Sequence, residues 1–430
     1  MRKTRPLLPI FILSFLVTIQ STLLAELYTE DQTEAQETTA HPRKIIPIGN
    51  LEIVGAYSDI DEGSDLWGGG ISGSFSPALR LSDMYHLIPL YSGSYKRIRQ
   101  YVAQEEGGRL YNTWQIHNAS LALRSQLTDK LSRRITAFGT WNLVKETRDE
   151  AFGDGLYDYR DTGGSLDMRY KFVTPNKEKV IDHNWGFQFF HRKYPNFQSL
   201  ISLATVTAAE KNEKDFNAVK FSAGRAERSA DGARWEINPS LSLKYFVDKQ
   251  LIDEDGTLDM DEEREDYIVQ VDFKGVRPFK AGRWEAALEN SIIYNYSNLD
   301  FYDSRDTVVL TDDVFTKHYY TYFSALIYPY LTYYHALNRE KMIMLRAGYS
   351  VLFRNYLNRK AQDSSGAYTD TDQKDKIHAI RLSASYPITK LISWVTSFDY
   401  TFADSNHKYE KYYKYDYDVY QTQSGISIKF

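Results

Sequence analysis

The chain has 430 residues and a formal net charge of −5 at pH 7, and a quarter of its residues are charged. It contains no cysteine, which excludes disulfides, thiolate metal sites and a cysteine nucleophile. Aromatic residues make up 15% of the chain although its mean hydropathy is negative. That combination suits strands with one apolar and one polar face, and the mildly acidic balance makes nucleic acid an unexpected partner.

The N-terminus has the layout of a secretory signal peptide. Three basic residues among the first five precede an apolar run over 7–19, and the small Ala25 follows. We predict that residues 1–25 are removed; a membrane anchor is the alternative, but the run is too short to span a bilayer as a helix. Residues 26–49 are polar and acidic and are predicted to form a flexible periplasmic tether. Residues 50–430 are predicted to form one domain.

About sixteen stretches of this domain alternate apolar and polar residues, as strands with two unlike faces do. One runs from Trp235 to Val247 and has an apolar residue or proline at every second position. Most stretches reach the roughly nine to eleven residues with which a tilted strand crosses a bilayer. Pro239 is the exception within its stretch, because proline cannot donate a hydrogen bond to a neighbouring strand, and we expect a β-bulge there.

The connections between these stretches alternate in length. Short turns such as 128–132 and 229–233 are followed by longer polar loops such as 192–215, 248–265 and 357–376. In membrane barrels the long loops lie outside and the tight turns lie in the periplasm. We therefore predict an all-β fold, a closed antiparallel up-and-down transmembrane β-barrel of about 16 strands, with about 14 to 18 possible.

The last residues, SGISIKF, complete a resemblance to the bacterial outer-membrane β-barrel superfamily. A terminal aromatic, Phe430, follows Ile428 and Ile426 at alternate positions, while Ser424 and Thr422 are more polar than the superfamily pattern. The resemblance covers residues 50–430 and implies an outer-membrane location in a Gram-negative cell. It also implies that periplasmic chaperones and the barrel-assembly machinery are partners, and that the last strand is the assembly signal.

The strand faces opposite the apolar ones carry many charges. Because a lysine or arginine facing lipid at mid-depth costs about 2–4 kcal/mol, these charges are expected to face the lumen. Its arginines are expected to face its glutamates across water and so to bias ion flow. By parity, the predicted lumen-lining residues are Asp167, Arg169, Lys171, Glu236, Lys244, Asp272, Lys274, Glu285, Glu289, Arg346, Arg354, Arg381 and Asp399.

Residues 251–262, LIDEDGTLDMDE, match parts of an EF-hand calcium loop around Gly256. The first ligand position holds leucine instead of aspartate, so a solvated acidic loop is the alternative. Calcium in an extracellular loop is the one cofactor that the sequence suggests. Its predicted ligands are Asp253, Asp255, Asp259 and Glu262.

Residues that could carry catalysis are not grouped in the sequence. His117 and Ser120 fall on opposite faces of one predicted strand and so cannot form a base and nucleophile pair. No phosphate loop or zinc-binding cluster is present in the sequence. We therefore predict no catalytic residues and no enzymatic activity.

The predicted function is a porin-like channel for passive diffusion of small hydrophilic solutes or ions. One alternative is a non-conducting barrel with a structural, binding or surface-display role. Another is a hydrolase acting at the outer leaflet. The sequence leaves the substrate undecided, and a homo-oligomer is possible.

Overall fold

The computed structural model describes residues 45–430 except 61–65, 105–106, 148, 177, 204–205, 304–313, 339–340 and 411–412. The predicted signal peptide and residues 26–44 of the predicted tether lie outside the described residues. Ile45 and Ile46, near the end of that tether, pair with Leu79 and Ala78. Pairing with the sheet therefore begins before residue 49.

All regular secondary structure in the described residues is β-strand. The described residues contain no helix that is long and apolar enough to cross a membrane. The strands are β1 (Ile45–Ile46), β2 (Gly49–Ile60), β3 (Leu66–Phe75), β4 (Ala78–Arg80), β5 (Tyr85–Arg97), β6 (Gln100–Gln104), β7 (Gly107–Tyr111), β8 (Thr113–Gln126), β9 (Leu131–Lys145), β10 (Tyr159–Val173), β11 (Lys179–Lys193), β12 (Gln198–Leu203), β13 (Val206–Lys211), β14 (Phe216–Ser229), β15 (Arg234–Ile252), β16 (Leu258–Phe279), β17 (Trp284–Ser297), β18 (Phe301–Asp303), β19 (Val314–Thr316), β20 (Tyr322–Ala336), β21 (Met342–Gln362), β22 (Tyr368–Pro387), β23 (Ile392–Ser405) and β24 (Tyr417–Lys429).

Sixteen of these strands form a closed antiparallel ring, which confirms the predicted fold. They are β2, β3, β5, β8 to β11, β14 to β17 and β20 to β24. Each strand pairs with the next one along the chain, and β24 returns to pair with β2. Strands β1 and β4 extend the sheet at the short-turn end, while β6–β7, β12–β13 and β18–β19 are separate hairpins in the connections at the other end.

Short and long connections lie at opposite ends of the barrel, as predicted, but two of the predicted long loops are shorter than expected. Residues 248–265 and 357–376, predicted as long loops, are mostly strand, because β15, β16, β21 and β22 continue beyond the neighbouring strands. Their connections shrink to the turns 253–257 and 363–367, where Gly256 and Gly366 take positive φ values of 79° and 87°. An acidic segment with alternating residues can therefore form a strand where that strand extends beyond its neighbours.

Large exposed apolar side chains share one face of the strands. Leu241 is 39% exposed and pairs with Phe221 and Val269, which are also exposed. Tyr245 is exposed towards the loop end of the same strand, and Trp235 lies near its turn end. Aromatic residues with a polar edge belong at the two membrane interfaces, so this face contacts lipid.

Pro239 does not cause the predicted β-bulge. It pairs with Val271 of β16, and the register with β14 is the same on both sides of it. The pairs that Ala223 and Gly224 would make with β15 are missing from that ladder. Because proline has no N–H, the ladder loses these two pairs, but neither strand gains an extra residue. The prediction of a bulge is wrong.

Candidate functional site: the barrel lumen

Burial and register together identify the inner face of the barrel. An outward side chain of a single-layered wall has only lipid above it, so side chains buried by protein must point inward. Residues that pair directly across two strands share a face. Lys274 pairs with Glu236 and Glu289, and Asp167 pairs with Arg134. Followed around the ring in this way, the register places all of the predicted lumen-lining residues on the inner face.

Towards the short turns, the inner charges form partly exposed ion pairs. We call this part of the inner face the lower lumen. Its ion pairs are Lys274–Glu289 (2.8 Å), Arg169–Asp182 (2.9 Å), Arg234–Glu285 (3.2 Å), Arg134–Asp167 (3.6 Å) and Arg381–Asp399 (3.6 Å). Pairs that keep contact with solvent contribute little to stability, so these side chains remain available to passing solutes.

One sector of the lower lumen joins arginine to carboxylate through tyrosine. The Arg346 guanidinium lies 4.7 Å from the centre of the Tyr330 ring, and Tyr330 Oη donates to Glu289 Oε1 at 3.1 Å. Tyr334 Oη donates to Glu285 Oε1 at 2.6 Å. Strands β17 and β21 both flank β20, so these acids and this arginine lie on one wall. The expectation that they face each other across water is wrong for this sector.

Towards the long loops, the inner face is closely packed, and we call it the upper belt. The upper belt comprises Asp161, Arg192, Phe216, Phe246, Arg264, Asp266, Ser297, Tyr322, Arg354 and Tyr356, all buried. Lys244 belongs to the same level, since it pairs with Asp266 and its Nζ lies 5.5 Å from the Phe216 ring. Lys244 and Arg354 were predicted to line an open lumen. The structure instead packs them against aromatic side chains, because the loops cover this level.

Two buried ion pairs lie in the upper belt. Arg192 donates to both oxygens of Asp161 at 2.6 and 2.7 Å and lies 3.8 Å from the Tyr159 ring centre. Arg264 donates to both oxygens of Asp266 at 2.9 and 2.8 Å, with both side chains 2% exposed. Removing one partner of such a pair leaves a buried charge without its counter-ion, so the pairs hold the belt in one arrangement.

The upper end of β21 and residues of the neighbouring loops extend the belt. Arg359 Nη2 donates to Tyr415 Oη at 2.9 Å, and its guanidinium lies 4.7 Å from the Tyr319 ring centre. The imidazole of His407 lies 4.3 Å from the Tyr415 ring, and its Nδ1 accepts a hydrogen bond from the Gln362 N–H. Burial, reinforced by the charge of Arg359, lowers the pKa of His407 to about 3. The histidine is therefore neutral wherever this loop is closed.

The register adds inner-face charges that the sequence analysis missed. Below the upper belt they are Glu52, Arg80, Lys96, Arg124, Arg134, Asp182, Lys220, Arg228, Arg234 and Lys429. Each has the parity of a polar face, so the alternation that found the others could have found these. They were missed because their strands mix apolar, small and charged residues, which weakens the pattern on either face.

Below the upper belt, the inner face carries more cations than anions. Among the described residues, the thirteen cations are Arg80, Lys96, Arg124, Arg134, Arg169, Lys171, Lys220, Arg228, Arg234, Lys274, Arg346, Arg381 and Lys429. The eight anions are Glu52, Asp167, Asp182, Glu236, Asp272, Glu285, Glu289 and Asp399. The lumen is thus positive although the whole chain has a net charge of −5.

The predicted calcium segment is a β-hairpin turn. The Asp253 N–H donates to the Thr257 carbonyl, and Asp255 Oδ1 accepts from the Thr257 N–H at 3.0 Å. Asp259 and Glu262 lie in a part of β16 where the register with β15 is irregular, since Gln250 pairs with Glu263 and Leu251 with Asp259. The EF-hand-like conformation is not adopted, and the structure does not bring the four predicted ligands together. Within the described ranges, no group of three or more His, Cys, Asp or Glu could hold a metal ion.

The residues of the predicted assembly signal complete the ring. Ile426 pairs with Ile53, and Ile428 pairs with Leu51. The Phe430 N–H donates to the Gly49 carbonyl at 3.0 Å, and the Gly49 N–H donates back at 2.8 Å. A Cβ at Gly49 would lie 2.5 Å from the Phe430 ring, so glycine at this position makes room for the terminal aromatic.

His117 and Ser120 lie apart, as their parity requires. His117 pairs with Trp141 on the lipid face, and Ser120 pairs with Phe138 on the inner face. Tyr91 Oη lies 2.8 Å from His117 Nδ1. The structure therefore brings no nucleophile and base together at this position.

No family model matches the sequence, and no curated protein matches it. In structure, the chain is similar to OmpT, an outer membrane protein of Vibrio cholerae, with a TM-score of 0.45, 8% identity, and 91% and 99% of the two chains covered. It is also similar to the outer membrane protein opdK from Pseudomonas aeruginosa (TM-score 0.42, 10% identity, 90% and 99% covered) and to a bacterial polysaccharide outer membrane secretin (TM-score 0.42, 9% identity, 89% and 98% covered).

At these identities and TM-scores, the similarities carry no argument about activity or substrate. The assignment depends instead on the closed ring, the outward apolar face and the aromatic residues near both of its ends. With all strand edges paired and lipid-facing side chains apolar, the sheet meets the requirements of a bilayer. The chain is a closed transmembrane β-barrel.

Proposed function

We propose that the protein is a passive outer-membrane channel for small hydrophilic solutes and that its lumen favours anions. The observation that carries this proposal is the excess of cations over anions on the inner face below the upper belt. A low-dielectric wall with a surplus of one charge raises the local concentration of the opposite ion. No catalytic role is part of the proposal.

The cations are concentrated on one wall near the short turns. Six of them lie on β8, β9, β10, β14 and β15: Arg124, Arg134, Arg169, Lys171, Arg228 and Arg234. Arg124 pairs directly with Arg134, and Arg228 pairs directly with Arg234, which places like charges side by side. An anion passing this wall would relieve that repulsion. The periplasmic mouth is therefore the part of the lumen where we expect anions to concentrate.

A planar-bilayer recording tests the proposal. In a salt gradient, the refolded protein should conduct with a reversal potential on the anion-selective side. Arg124→Gln combined with Arg228→Gln should move that potential towards cation selectivity. Arg277→Gln is the matched control, because Arg277 lies at the same end but pairs with Ala286 on the outer face. Conductance with a reversal potential unchanged by the double variant would contradict the role of this wall.

A non-conducting structural, binding or display barrel is the second candidate, and the upper belt favours it. Buried ion pairs and aromatic side chains line the loop end of the inner face, where a solute must pass. Absence of any conductance in the folded wild type would favour this candidate. The barrel-assembly machinery as partner is a separate proposal, and deletion of Phe430 should then lower the amount of inserted protein.

A further inference from the structure

Two cations stand side by side on the lipid face near the long loops. Arg160 of β10 pairs directly with Lys193 of β11, and both side chains are exposed. They point to the same face as Leu166 and Phe187, which lie below them among the exposed apolar side chains. Like charges directly opposite each other repel. The pair therefore stands at the upper membrane interface in an arrangement that an anion would stabilise.

The barrel does not supply that anion. Among the described residues, no carboxylate forms an ion pair with Arg160 or Lys193. The charge of Lys193 reaches the buried Asp215, whose pKa is raised by burial, but that carboxylate accepts a hydrogen bond from the Tyr194 N–H at 2.7 Å. Asp215 is 4% exposed and cannot cover the outer side of the pair.

A contrasting position lies on another wall. Lys376 of β22 also faces outward near the long loops, and it pairs directly with Asp404 of β23. Outward cations at this level can thus be given an acidic neighbour by the chain itself. The absence of one beside Arg160 and Lys193 indicates an external counter-ion.

Below the cation pair, the outer face passes from polar to small and apolar residues. Thr162 and His191 pair directly under the cations, and Gly164 with its neighbour Ala137 follows one step further down, while Gly139 lies beside Thr162. A Cβ at Gly139 would lie 3.2 Å from the Trp141 ring, which shows that the indole leans down over this surface. Phe189 pairs with Gly164 and borders the other side. We call the shallow strip of small residues that begins beside Thr162 and runs towards the membrane centre the groove.

We propose that this surface binds a phosphorylated lipid of the outer leaflet. Arg160 and Lys193 would contact the headgroup phosphate, and an acyl chain would lie in the groove between Trp141 and Phe189. Cation pairs at a membrane surface and aromatic residues at the interface both fit such a ligand. The site is on the outer face, so it does not depend on whether the lumen conducts.

The test uses the full-length refolded barrel in detergent and native mass spectrometry with diphosphoryl lipid A as the probe. Arg160→Gln with Lys193→Gln should weaken binding about twentyfold, at about fivefold for each cation. Lys376→Gln should leave binding unchanged. Gly164→Leu fills the groove without changing charge and should also weaken binding. Heat-resistant gel mobility identifies the variants that have folded.

Equal binding by the wild type and the folded double variant would overturn the proposal. So would equal binding of diphosphoryl lipid A and the same lipid without phosphate. Displacement of lipid A by inorganic phosphate at equal concentration would show a site for the free ion and would likewise reject a lipid site. Loss of binding in both the double variant and Gly164→Leu, with Lys376→Gln unaffected, supports it.

Discussion

The two ends of the barrel interior are built from the same kinds of residue but arranged in different ways. In the lower lumen, Lys274 and Glu289 form a 2.8 Å ion pair with about 30% of each side chain exposed. In the upper belt, Arg264 and Asp266 form a 2.8 Å pair that is 2% exposed. Distance is equal, so burial alone separates a solvated charge from a structural one. An ion pair becomes a fixed element of the fold only when other side chains exclude water from it.

The largest effect is expected from breaking a pair in the upper belt. Asp266→Asn leaves Arg264 buried with a weakened partner, and it should reduce the free energy of unfolding by about 3–5 kcal/mol. Urea unfolding of the barrel in lipid vesicles measures this. Arg264→Met combined with Asp266→Leu removes both charges and should restore most of the loss. A double variant as unstable as the single one would show that the belt depends on the hydrogen bonds themselves.

Acid should loosen the part of the upper belt that contains His407. The pKa of His407 is about 3 in the closed loop, against about 6.5 for an exposed histidine. The open loop therefore takes up a proton at a higher pH than the closed loop. The free energy that favours the closed loop falls by up to about 1.4 kcal/mol per pH unit as the pH decreases between these two pKa values. Hydrogen exchange of residues 406–410 should rise at pH 5 in the wild type. His407→Gln should remove most of that dependence.

A much smaller effect is expected from breaking a pair in the lower lumen. Lys274→Ala removes one partner of a solvated ion pair, so the free energy of unfolding should change by less than about 1 kcal/mol. The same urea experiment provides the measurement. A loss as large as that of Asp266→Asn would mean that the lower lumen is as dry as the upper belt, and the comparison between them would fail.

Ion selectivity is the property expected to change when the charges of Arg346 and Arg381 are reversed. Arg346→Glu with Arg381→Glu should keep the heat-resistant gel mobility of the folded barrel while shifting the reversal potential towards cations. A salt-gradient recording on planar bilayers shows this shift. If folding is lost, the contact between Arg346 and Tyr330 is structural; if neither property changes, these arginines do not line the conducting path.

Alternation in the sequence predicted the barrel and the facing of its charges, because side-chain direction has a period of two along a strand. It could not predict how deeply each inward-facing side chain is buried. Arg346 and Arg354 have the same parity in β21, yet only Arg354 is buried, since Tyr322 and the loops cover its level. The missing N–H of Pro239 correctly located a disturbance but not its form, since the ladder loses two pairs without a bulge. The loop pattern took the projecting ends of β15 and β16 for loops.

The pairing of β2 with β24 has a consequence for how the protein folds. Ile53 and Ile426 are neighbours in the ring but are separated by most of the chain. Contacts between such distant residues form late, because a long loop must close first. Until β24 is in place, β2 and β23 present unpaired backbone edges, which attract strands of other chains. The interval before the last strand docks is therefore when this protein is most prone to aggregate.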